Sequence, residues 1–249
     1  MNARPFAAPL KTRFPLRPHA LAGTLLCGSL AALLGMPQPS WAAAPTVSSA
    51  EYIGPQLISV GQDVSRVTAW IRATHNHQGL PFAVIDKKAA MLHVFDAAGS
   101  PLGSSPVLLG LAVGDDSAPD IGTRKLADIR PAERTTPAGR FVSEPGRNLQ
   151  GEDIVWIDYD AAVSMHRVRA SNKADRRLER LATPTAADNR ISYGCVNVPA
   201  AFYDARIKPV FGARPAVVYV LPETRPLGSL IGLADGMALE AVQLSAAAR

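Results

Sequence analysis

Short apolar runs separated by turn residues are the feature that most constrains the fold of this chain. From residue 82 onward, runs rich in β-branched and aromatic residues recur, with glycine, proline and aspartate in many of the segments between them. These runs cover residues 82–86, 91–95, 106–111, 154–157, 163–168, 191–198 and 216–221. They do not alternate with long helical patterns, which argues against a parallel α/β fold. The sequence therefore predicts a mainly β fold, a sandwich or barrel with short peripheral helices.

Segments outside these runs favour helices. Residues 63–75 carry apolar side chains at three- and four-residue spacing, which predicts a short amphipathic helix with Asp63 at its N-cap. We expect Trp70 and Ile71 on the face of this helix that joins the core. A polar helix is predicted over residues 173–182. Its solvated face is expected to carry Arg176, Arg177 and Arg180.

The first 44 residues differ in character from the rest. Residues 1–18 contain four basic residues and no acidic one, residues 20–36 are apolar, and a stretch of small residues ends at Ala44. That order is typical of a secretory signal peptide, cleaved after Ala42 or Ala44. The apolar run falls short of a comfortable membrane span. We therefore expect an exported protein, located in the periplasm or cell envelope, with no integral membrane span in its mature form; an uncleaved anchor is the alternative.

The leader also accounts for the basic character of the sequence. The chain has a formal net charge of +5, from 26 lysines and arginines and 21 aspartates and glutamates. Four of the basic residues and none of the acidic ones precede Ala44, which leaves 22 basic against 21 acidic residues and a net charge of +1. A nearly neutral mature chain does not indicate nucleic-acid binding. We expect no nucleic-acid partner, and we expect a monomer.

One cysteine, Cys195, remains once the leader is removed. An exported chain with one cysteine forms no internal disulfide, and a free thiol in an oxidising compartment is a liability unless it is shielded or used. Cys195 follows Gly194, whose lack of a side chain lets the backbone approach a substrate closely, so that neighbouring N–H groups can hold an oxyanion. A free cysteine is also often a small buried hydrophobe. The residues alone leave both interpretations open.

The residues around Cys195 resemble the signature of a known family. Residues 192–197 read Ser-Tyr-Gly-Cys-Val-Asn, which is similar to the Ser/Thr-His-Gly-Cys-apolar-Asn motif of the YkuD-type L,D-transpeptidases. Residues 136–141 resemble that family's Thr-Pro-x-Gly-x-Phe strand, and residues 163–166 stand where it has the strand of its catalytic histidine. The resemblance covers about residues 81–222 and implies a YkuD-like β-sandwich that cross-links peptidoglycan.

This resemblance completes a division of the chain into four parts. They are a signal peptide (1–44), a lead-in with a short helix (45–80), the L,D-transpeptidase-like catalytic domain (81–222) and a C-terminal tail (223–249). The resemblance also implies that peptidoglycan stem peptides are the substrate and that no metal or other cofactor takes part. His75 and His77 have the look of a metal-binding pair, but no cysteine or acid lies near them, so we expect them to be solvated.

The resemblance assigns roles to individual residues. Cys195 is expected to be the nucleophile that forms a thioester, with His166 as its general base. Backbone N–H groups around Tyr193, Gly194 and Cys195 are expected to hold the oxyanion. Ser192 is expected to orient His166 or to satisfy the backbone of the turn, and Arg190 and Asn197 are expected to bind substrate. Arg190 is explained almost as well as an ordinary surface arginine, and Asn197 as a residue that fixes the turn.

Two departures from the family pattern leave other functions open. Tyr193 replaces the histidine that precedes the glycine, and His166 lies 29 residues before Cys195, a gap that we interpret as an insertion between residues 172 and 189. One alternative is a hydrolase of the same fold, either an L,D-carboxypeptidase or an amidase that cleaves wall peptides. The other is a non-catalytic peptidoglycan-binding module in which Tyr193 marks lost activity.

Overall fold

The strands and helices of the protein are described over residues 61–231 by a computed structural model. The strands are β1 (Phe82–Asp86), β2 (Met91–Phe95), β3 (Pro101–Pro106), β4 (Leu109–Gly110), β5 (Gly139–Arg147), β6 (Asp153–Asp158), β7 (Val163–Arg167), β8 (Arg190–Ser192), β9 (Val196–Val198) and β10 (Ala216–Val220). The helices are α1 (Gln62–Thr74), α2 (Arg177–Ala182), α3 (Ala200–Phe202), α4 (Lys208–Phe211) and α5 (Gly228–Ile231), with a π-helical turn, Tyr203–Ile207, between α3 and α4. Short 3-10 turns lie at Ile121–Thr123, Leu126–Asp128, Pro131–Glu133, Lys173–Asp175 and Ala186–Asn189.

Most of these strands belong to one mixed sheet. Its order is β3-β2-β1-β10-β5-β6-β7-β9, and a separate parallel pair joins β4 to β8. The pairs β1/β10 and β7/β9 are parallel, whereas the other neighbours run antiparallel. Strand β5 connects the two halves of the sheet because its first residues pair with β10 and its last residues pair with β6.

The two halves of the sheet enclose a common core. One cluster of buried side chains draws on both of them, including Ile85, Val94 and Val218 from one half and Val155, Met165 and Val198 from the other. Tyr203, Ile207 and Phe211, from the helical segment after β9, complete this cluster. The prediction of a mainly β sandwich with short peripheral helices is therefore confirmed.

Helix α1 covers the outer face of the β1/β10 half. Trp70 and Ile71 are buried there against Phe82 and Tyr219, as the apolar spacing predicts. The predicted N-cap is wrong, since Gly61 precedes the helix and Asp63 lies inside its first turn, where a carboxylate favours the helix dipole.

Several predictions about the chain termini concern residues outside the described range. The predicted signal peptide (1–44), residues 45–60 of the lead-in and residues 232–249 of the predicted tail all lie outside residues 61–231. Within that range, no helix is long and apolar enough to cross a membrane.

Candidate functional site

The parallel pairing of β7 with β9 brings His166 and Cys195 to one end of the sheet. His166 is paired with Asn197, so Cys195, two residues earlier, comes level with Ser164. Ser164 and His166 share one face of β7 because side chains alternate along a strand. The Ser164 hydroxyl oxygen accordingly lies 3.6 Å from the Cys195 sulfur. Two parallel strands need a crossover of a dozen or more residues, which gives the long gap between histidine and cysteine a structural reason.

The Cys195 thiol is half-buried and is surrounded by polar groups. Its sulfur lies 3.6 Å from the Ala162 carbonyl oxygen, as well as beside Ser164. Burial by itself raises the pKa of the thiol. A hydrogen bond and charge from His166, together with hydrogen bonds from Ser164, outweigh burial and bring the pKa of Cys195 below its ordinary value. A thiol in such surroundings is a better nucleophile at neutral pH than a free one.

The backbone determines which nitrogen of His166 carries a proton. The Nδ1 atom lies 2.8 Å from the carbonyl oxygen of Arg167, and a carbonyl oxygen only accepts hydrogen bonds. In the neutral imidazole the proton is therefore on Nδ1, and Nε2 keeps its lone pair. An imidazole in this tautomer can take a proton from the neighbouring thiol through Nε2.

The turn before Cys195 has room for glycine only. Gly194 has a φ of +133°, and a Cβ added there would lie 2.8 Å from the carbonyl oxygen of Thr135. Its N–H donates to the Ser192 hydroxyl (3.1 Å), which in turn donates to the Cys195 carbonyl oxygen (2.6 Å). The Ser192 side chain therefore closes the turn by bonding to its own backbone.

Two carbonyl groups of this turn are held by hydrogen bonds from neighbouring segments. The Ser192 carbonyl accepts from the N–H of Leu111 at 2.9 Å, and the Gly194 carbonyl accepts from the Thr136 hydroxyl at 2.8 Å. In a trans peptide the C=O and the following N–H point in opposite directions. The N–H groups of Tyr193 and Cys195 therefore both point away from these anchors.

The Tyr193 side chain is covered by the long excursion between β4 and β5. The Arg134 guanidinium lies over its ring at 4.0 Å from the centroid and also donates to the Ile129 carbonyl. Further along the same excursion, a Cβ on Gly122 would lie 2.1 Å from the carbonyl oxygen of Asp160. Asp160 belongs to the turn between β6 and β7, next to Ala162. The excursion thus contacts the cysteine site from two sides.

The two residues predicted to bind substrate are engaged within the protein. The Arg190 guanidinium pairs with the Glu223 carboxylate and donates to the Lys87 carbonyl at 2.7 Å. Asn197 is only 1% exposed, and its amide contacts Arg177, the Cys195 carbonyl and His166. Their role in substrate binding stays a prediction. The surroundings of Asn197 fit the alternative in which it fixes the turn.

Arg177 lies inside the candidate site, although the polar helix pattern predicts a solvated side chain there. It was expected on a solvated face, yet its side chain is 19% exposed and its Nη1 donates to the Asn197 Oδ1 at 2.6 Å. Arg176, one residue earlier, is 71% exposed and pairs with Glu179, as expected for a solvated arginine. Adjacent arginines on a short polar helix give no signal that separates the two.

A buried ionic cluster lies behind the cysteine turn and was also missed. The Lys87 side chain is fully buried and donates to Asp115 (2.8 Å), to the Gly114 carbonyl (2.5 Å) and to the Thr136 carbonyl (3.0 Å). Glu223 lies 3.4 Å from the same ammonium group. Because Thr136 also anchors Gly194, the cluster supports the backbone of the site.

His75 and His77 follow the end of α1, and the His77 ring packs against Phe82 of β1. His77 is buried, not solvated as expected, and its Nε2 lies 3.0 Å from the Ala97 carbonyl oxygen. Among residues 61–231, no group of three or more histidine, cysteine, aspartate or glutamate side chains is arranged to hold a metal ion.

Comparisons with known proteins give matches to solved structures only. No protein-family model matches the sequence, and no curated protein matches it. The structure is similar to an L,D-transpeptidase solved in complex with imipenem, at 17% identity and a TM-score of 0.31, over 57% of this chain and 58% of that one. It is also similar to the catalytic domain of an E. faecium L,D-transpeptidase, at 17% identity and a TM-score of 0.32, over 59% of this chain and 100% of that one.

A third similar structure is a helical cell shape determining protein from Campylobacter jejuni. The identity is 11% and the TM-score 0.39, over 75% of this chain and 64% of that one. The chain spans 58% of the length of the imipenem-bound neighbour. Identities and TM-scores this low carry no information on the chemistry of the site.

Proposed function

We propose that the protein is an exported cysteine acyltransferase of the L,D-transpeptidase type that acts on peptidoglycan stem peptides. The observation that carries this proposal is the pairing of a half-buried thiol of lowered pKa with a histidine whose Nε2 keeps its lone pair. A nucleophile, a base beside it and a group that orients the base are the components of covalent acyl transfer. Here the orienting group is the Arg167 carbonyl. The motif around Cys195 supplies the substrate class, by resemblance.

The first half-reaction forms a thioester. His166 Nε2 takes the proton of the Cys195 thiol, and the thiolate attacks the carbonyl carbon that precedes the terminal D-residue of a stem tetrapeptide. The oxyanion is held by the N–H groups of Tyr193 and Cys195, because the N–H of Gly194 is engaged by Ser192. When the intermediate collapses, the C–N bond breaks and His166 gives its proton to the departing D-amino acid. Loss of one oxyanion donor typically lowers the rate by about 10²–10³.

The second half-reaction releases the enzyme. A side-chain amine of a second stem peptide attacks the thioester carbonyl, an amide bond forms, and the C–S bond breaks. The proton that the amine loses returns through His166 to the Cys195 sulfur. With water in place of the amine the product is the free acid, and the protein is then the same-fold hydrolase. Separation of the products by mass distinguishes a cross-linked dimer from a shortened monomer.

The experiment that tests the proposal is acylation by a carbapenem, an acyl-donor mimic accepted by the family that the motif resembles. Purified mature protein is incubated with the drug, and the intact mass is measured over time. Wild type, Cys195→Ala and His166→Ala are compared. We expect an adduct on wild type, none on Cys195→Ala and a slower adduct on His166→Ala.

A folded wild-type protein that forms no adduct would count against the proposal. A narrow pocket can exclude the drug, so native muropeptides are the second substrate. If wild type leaves the muropeptides unchanged but binds them, the non-catalytic module is the correct interpretation. Turnover that persists in Cys195→Ala would show that the chemistry lies elsewhere.

A further inference from the structure

Helix α2, which lies between β7 and β8, contributes a side chain to the interior of the candidate site. The first residue of this helix, Arg177, reaches Asn197 beside the catalytic pair. We infer that Arg177 is a positioning residue that holds the Asn197 amide in one orientation and thereby keeps His166 in place against Cys195. The inference rests on the pairing of His166 with Cys195 in the proposed function.

The orientation of the Asn197 amide follows from the chemistry of its neighbours. A guanidinium group donates hydrogen bonds and accepts none, so the atom that faces Arg177 at 2.6 Å must be the amide oxygen. The amide nitrogen then faces the opposite way. It lies 3.3 Å from the Cys195 carbonyl oxygen and 3.5 Å from His166 Nε2. Both of these atoms accept hydrogen bonds while His166 is neutral. Once Nε2 has taken the Cys195 proton, the amide nitrogen keeps the Cys195 carbonyl oxygen as its acceptor.

The reverse orientation would be unfavourable at both positions. If the amide turned over, its oxygen would face the Cys195 carbonyl oxygen and the lone pair of His166 Nε2, and no hydrogen bond would form with either. Asn197 is 1% exposed, so water is not at hand to replace the lost partners. A buried polar group without a partner is costly. Arg177 therefore selects the orientation that serves both Cys195 and His166.

Arginine suits this position because its guanidinium group donates hydrogen bonds to two partners at once. Its Nε donates to the Asp175 carboxylate at 2.8 Å, while Nη1 donates to Asn197. Asp175 is held in turn by the Asn172 amide, which donates to it at 2.8 Å. Lysine, with a single ammonium group on a flexible stem, would not hold both partners in the same geometry.

The test measures how fast iodoacetamide alkylates Cys195 as a function of pH. Only the thiolate reacts, so the midpoint of the profile reports how far the surroundings favour that form. The variants are Arg177→Ala, Arg177→Lys, Asn197→Ala, the double variant Arg177→Ala/Asn197→Ala, and His166→Ala. Arg176→Ala is the matched control, because that neighbouring arginine is exposed and has no contact with Asn197. Circular dichroism establishes that each variant is folded.

We expect Arg177→Ala to move the midpoint of the alkylation profile up by about one pH unit, towards that of His166→Ala. At a pH below the midpoint, this shift makes alkylation of Arg177→Ala roughly tenfold slower than that of wild type. Asn197→Ala should give a similar shift, and the double variant should add little to it, since both residues act through one amide. Arg177→Lys should lie between wild type and Arg177→Ala. Arg176→Ala should match wild type.

Three results would overturn the inference, and they differ in what they imply about the proposed function. If His166→Ala shifts the profile but Arg177→Ala does not, Arg177 has no positioning role while the pairing of His166 with Cys195 stands. If His166→Ala leaves the profile unchanged, the pairing itself is absent, and both the inference and the proposed mechanism fail. Additive shifts for Arg177→Ala and Asn197→Ala would also refute action through Asn197.

Discussion

Replacement of Lys87 by methionine tests whether the buried ionic cluster supports the fold behind the cysteine turn. Methionine keeps an unbranched side chain, one atom shorter than that of lysine, and removes its charge. In wild type the ammonium group is fully buried and donates to Asp115, to Gly114 and to Thr136. The change leaves Asp115 without its closest cation and leaves the Thr136 carbonyl without this donor. The cluster is an informative target because its charges lie almost entirely out of solvent.

The magnitude follows from what each partner retains. Removal of one member of a buried ion pair typically costs about 3–5 kcal/mol. Asp115 keeps donors from the backbone and side chain of Thr224 and from the backbone of Glu223 and Arg225, at 2.6–2.9 Å. Glu223 keeps its pairing with Arg190. The loss should therefore lie at the low end, at about 3 kcal/mol in the free energy of unfolding, which corresponds to a decrease in Tm of roughly 6–12 °C.

The assay is denaturant unfolding at pH 7, followed by circular dichroism. Lys88→Met is the matched control, because that lysine is next in sequence, is 57% exposed and pairs only loosely with Asp63 at 3.4 Å. An exposed pair of this kind contributes about 0–1 kcal/mol. If Lys87→Met unfolds within 1 kcal/mol of Lys88→Met, the buried cluster does not stabilise the fold as we reason.

The same pair of variants should respond differently to acid. Burial raises the pKa of Asp115, but hydrogen bonds from Lys87, from Thr224 and from the backbone outweigh it and lower the pKa below its ordinary value. A lowered pKa in the folded state stabilises the protein above the unfolded pKa of about 3.9, and that stability is lost as the pH falls below it. Protonated Asp115 no longer needs a cation. The difference in stability between wild type and Lys87→Met should therefore stay constant from pH 7 to about pH 4 and narrow as the pH falls further. A difference that does not narrow between about pH 4 and about pH 2 would contradict this account.

Two further substitutions address the cysteine turn. Gly194→Ala places a Cβ 2.8 Å from the Thr135 carbonyl oxygen at a φ of +133°. We therefore expect a loss of about 1–3 kcal/mol in unfolding free energy and slower carbapenem acylation. Gly228→Ala is the control, because open space surrounds Gly228 and its replacement should leave thermal unfolding unchanged. Ser164→Ala removes a hydroxyl 3.6 Å from the Cys195 sulfur, so the thiolate loses a stabilising contact and the alkylation midpoint should move to higher pH. A midpoint that stays at the wild-type value would show that the Ser164 hydroxyl does not contribute.

Much of the fold was accessible from the sequence because its strands are short, apolar and separated by turns. The hairpin of β1 and β2 and the buried strand β10 stand where the apolar runs predict them. The pairing order was not accessible. The parallel pairs β1/β10 and β7/β9 join strands that are distant in sequence, and apolar runs carry no information on which partner they will find. A mainly β pattern therefore predicted the class of fold but not its mixed sheet.

The residues of the candidate site also fall into those that the sequence predicted and those that only the fold reveals. The motif identified Cys195 and the family resemblance identified His166, and the parallel pairing of β7 with β9 brings these two residues to the same end of the sheet. Arg177 and Lys87 were not found, because each acts through a contact with a residue at least 20 positions away in the chain. Arginine on a polar helix and lysine in a hairpin are ordinary surface patterns. Only the tertiary structure distinguishes such residues from their exposed neighbours Arg176 and Lys88.

The tyrosine at position 193 is compatible with the proposed chemistry if that position serves the site through its backbone. The direction of its N–H is determined by the Ser192 carbonyl, which is anchored by Leu111, while the Tyr193 ring lies under Arg134. Tyr193→Ala keeps the N–H and should slow carbapenem acylation only a few-fold. Tyr193→Pro removes the N–H and should slow it by about 10²–10³, since one oxyanion donor is lost.

Alkylation by iodoacetamide separates this effect from a general disturbance of the turn. Alkylation displaces iodide at a saturated carbon and forms no oxyanion, so a lost oxyanion donor leaves its rate unchanged. We therefore expect Tyr193→Pro to be alkylated at a rate close to that of Tyr193→Ala while it is acylated far more slowly. Equal losses in both reactions would mean that the proline has displaced Cys195. Equal acylation of the two variants would mean that the Tyr193 N–H does not hold the oxyanion. The backbone of residue 193 would then not explain why the site accepts a tyrosine there.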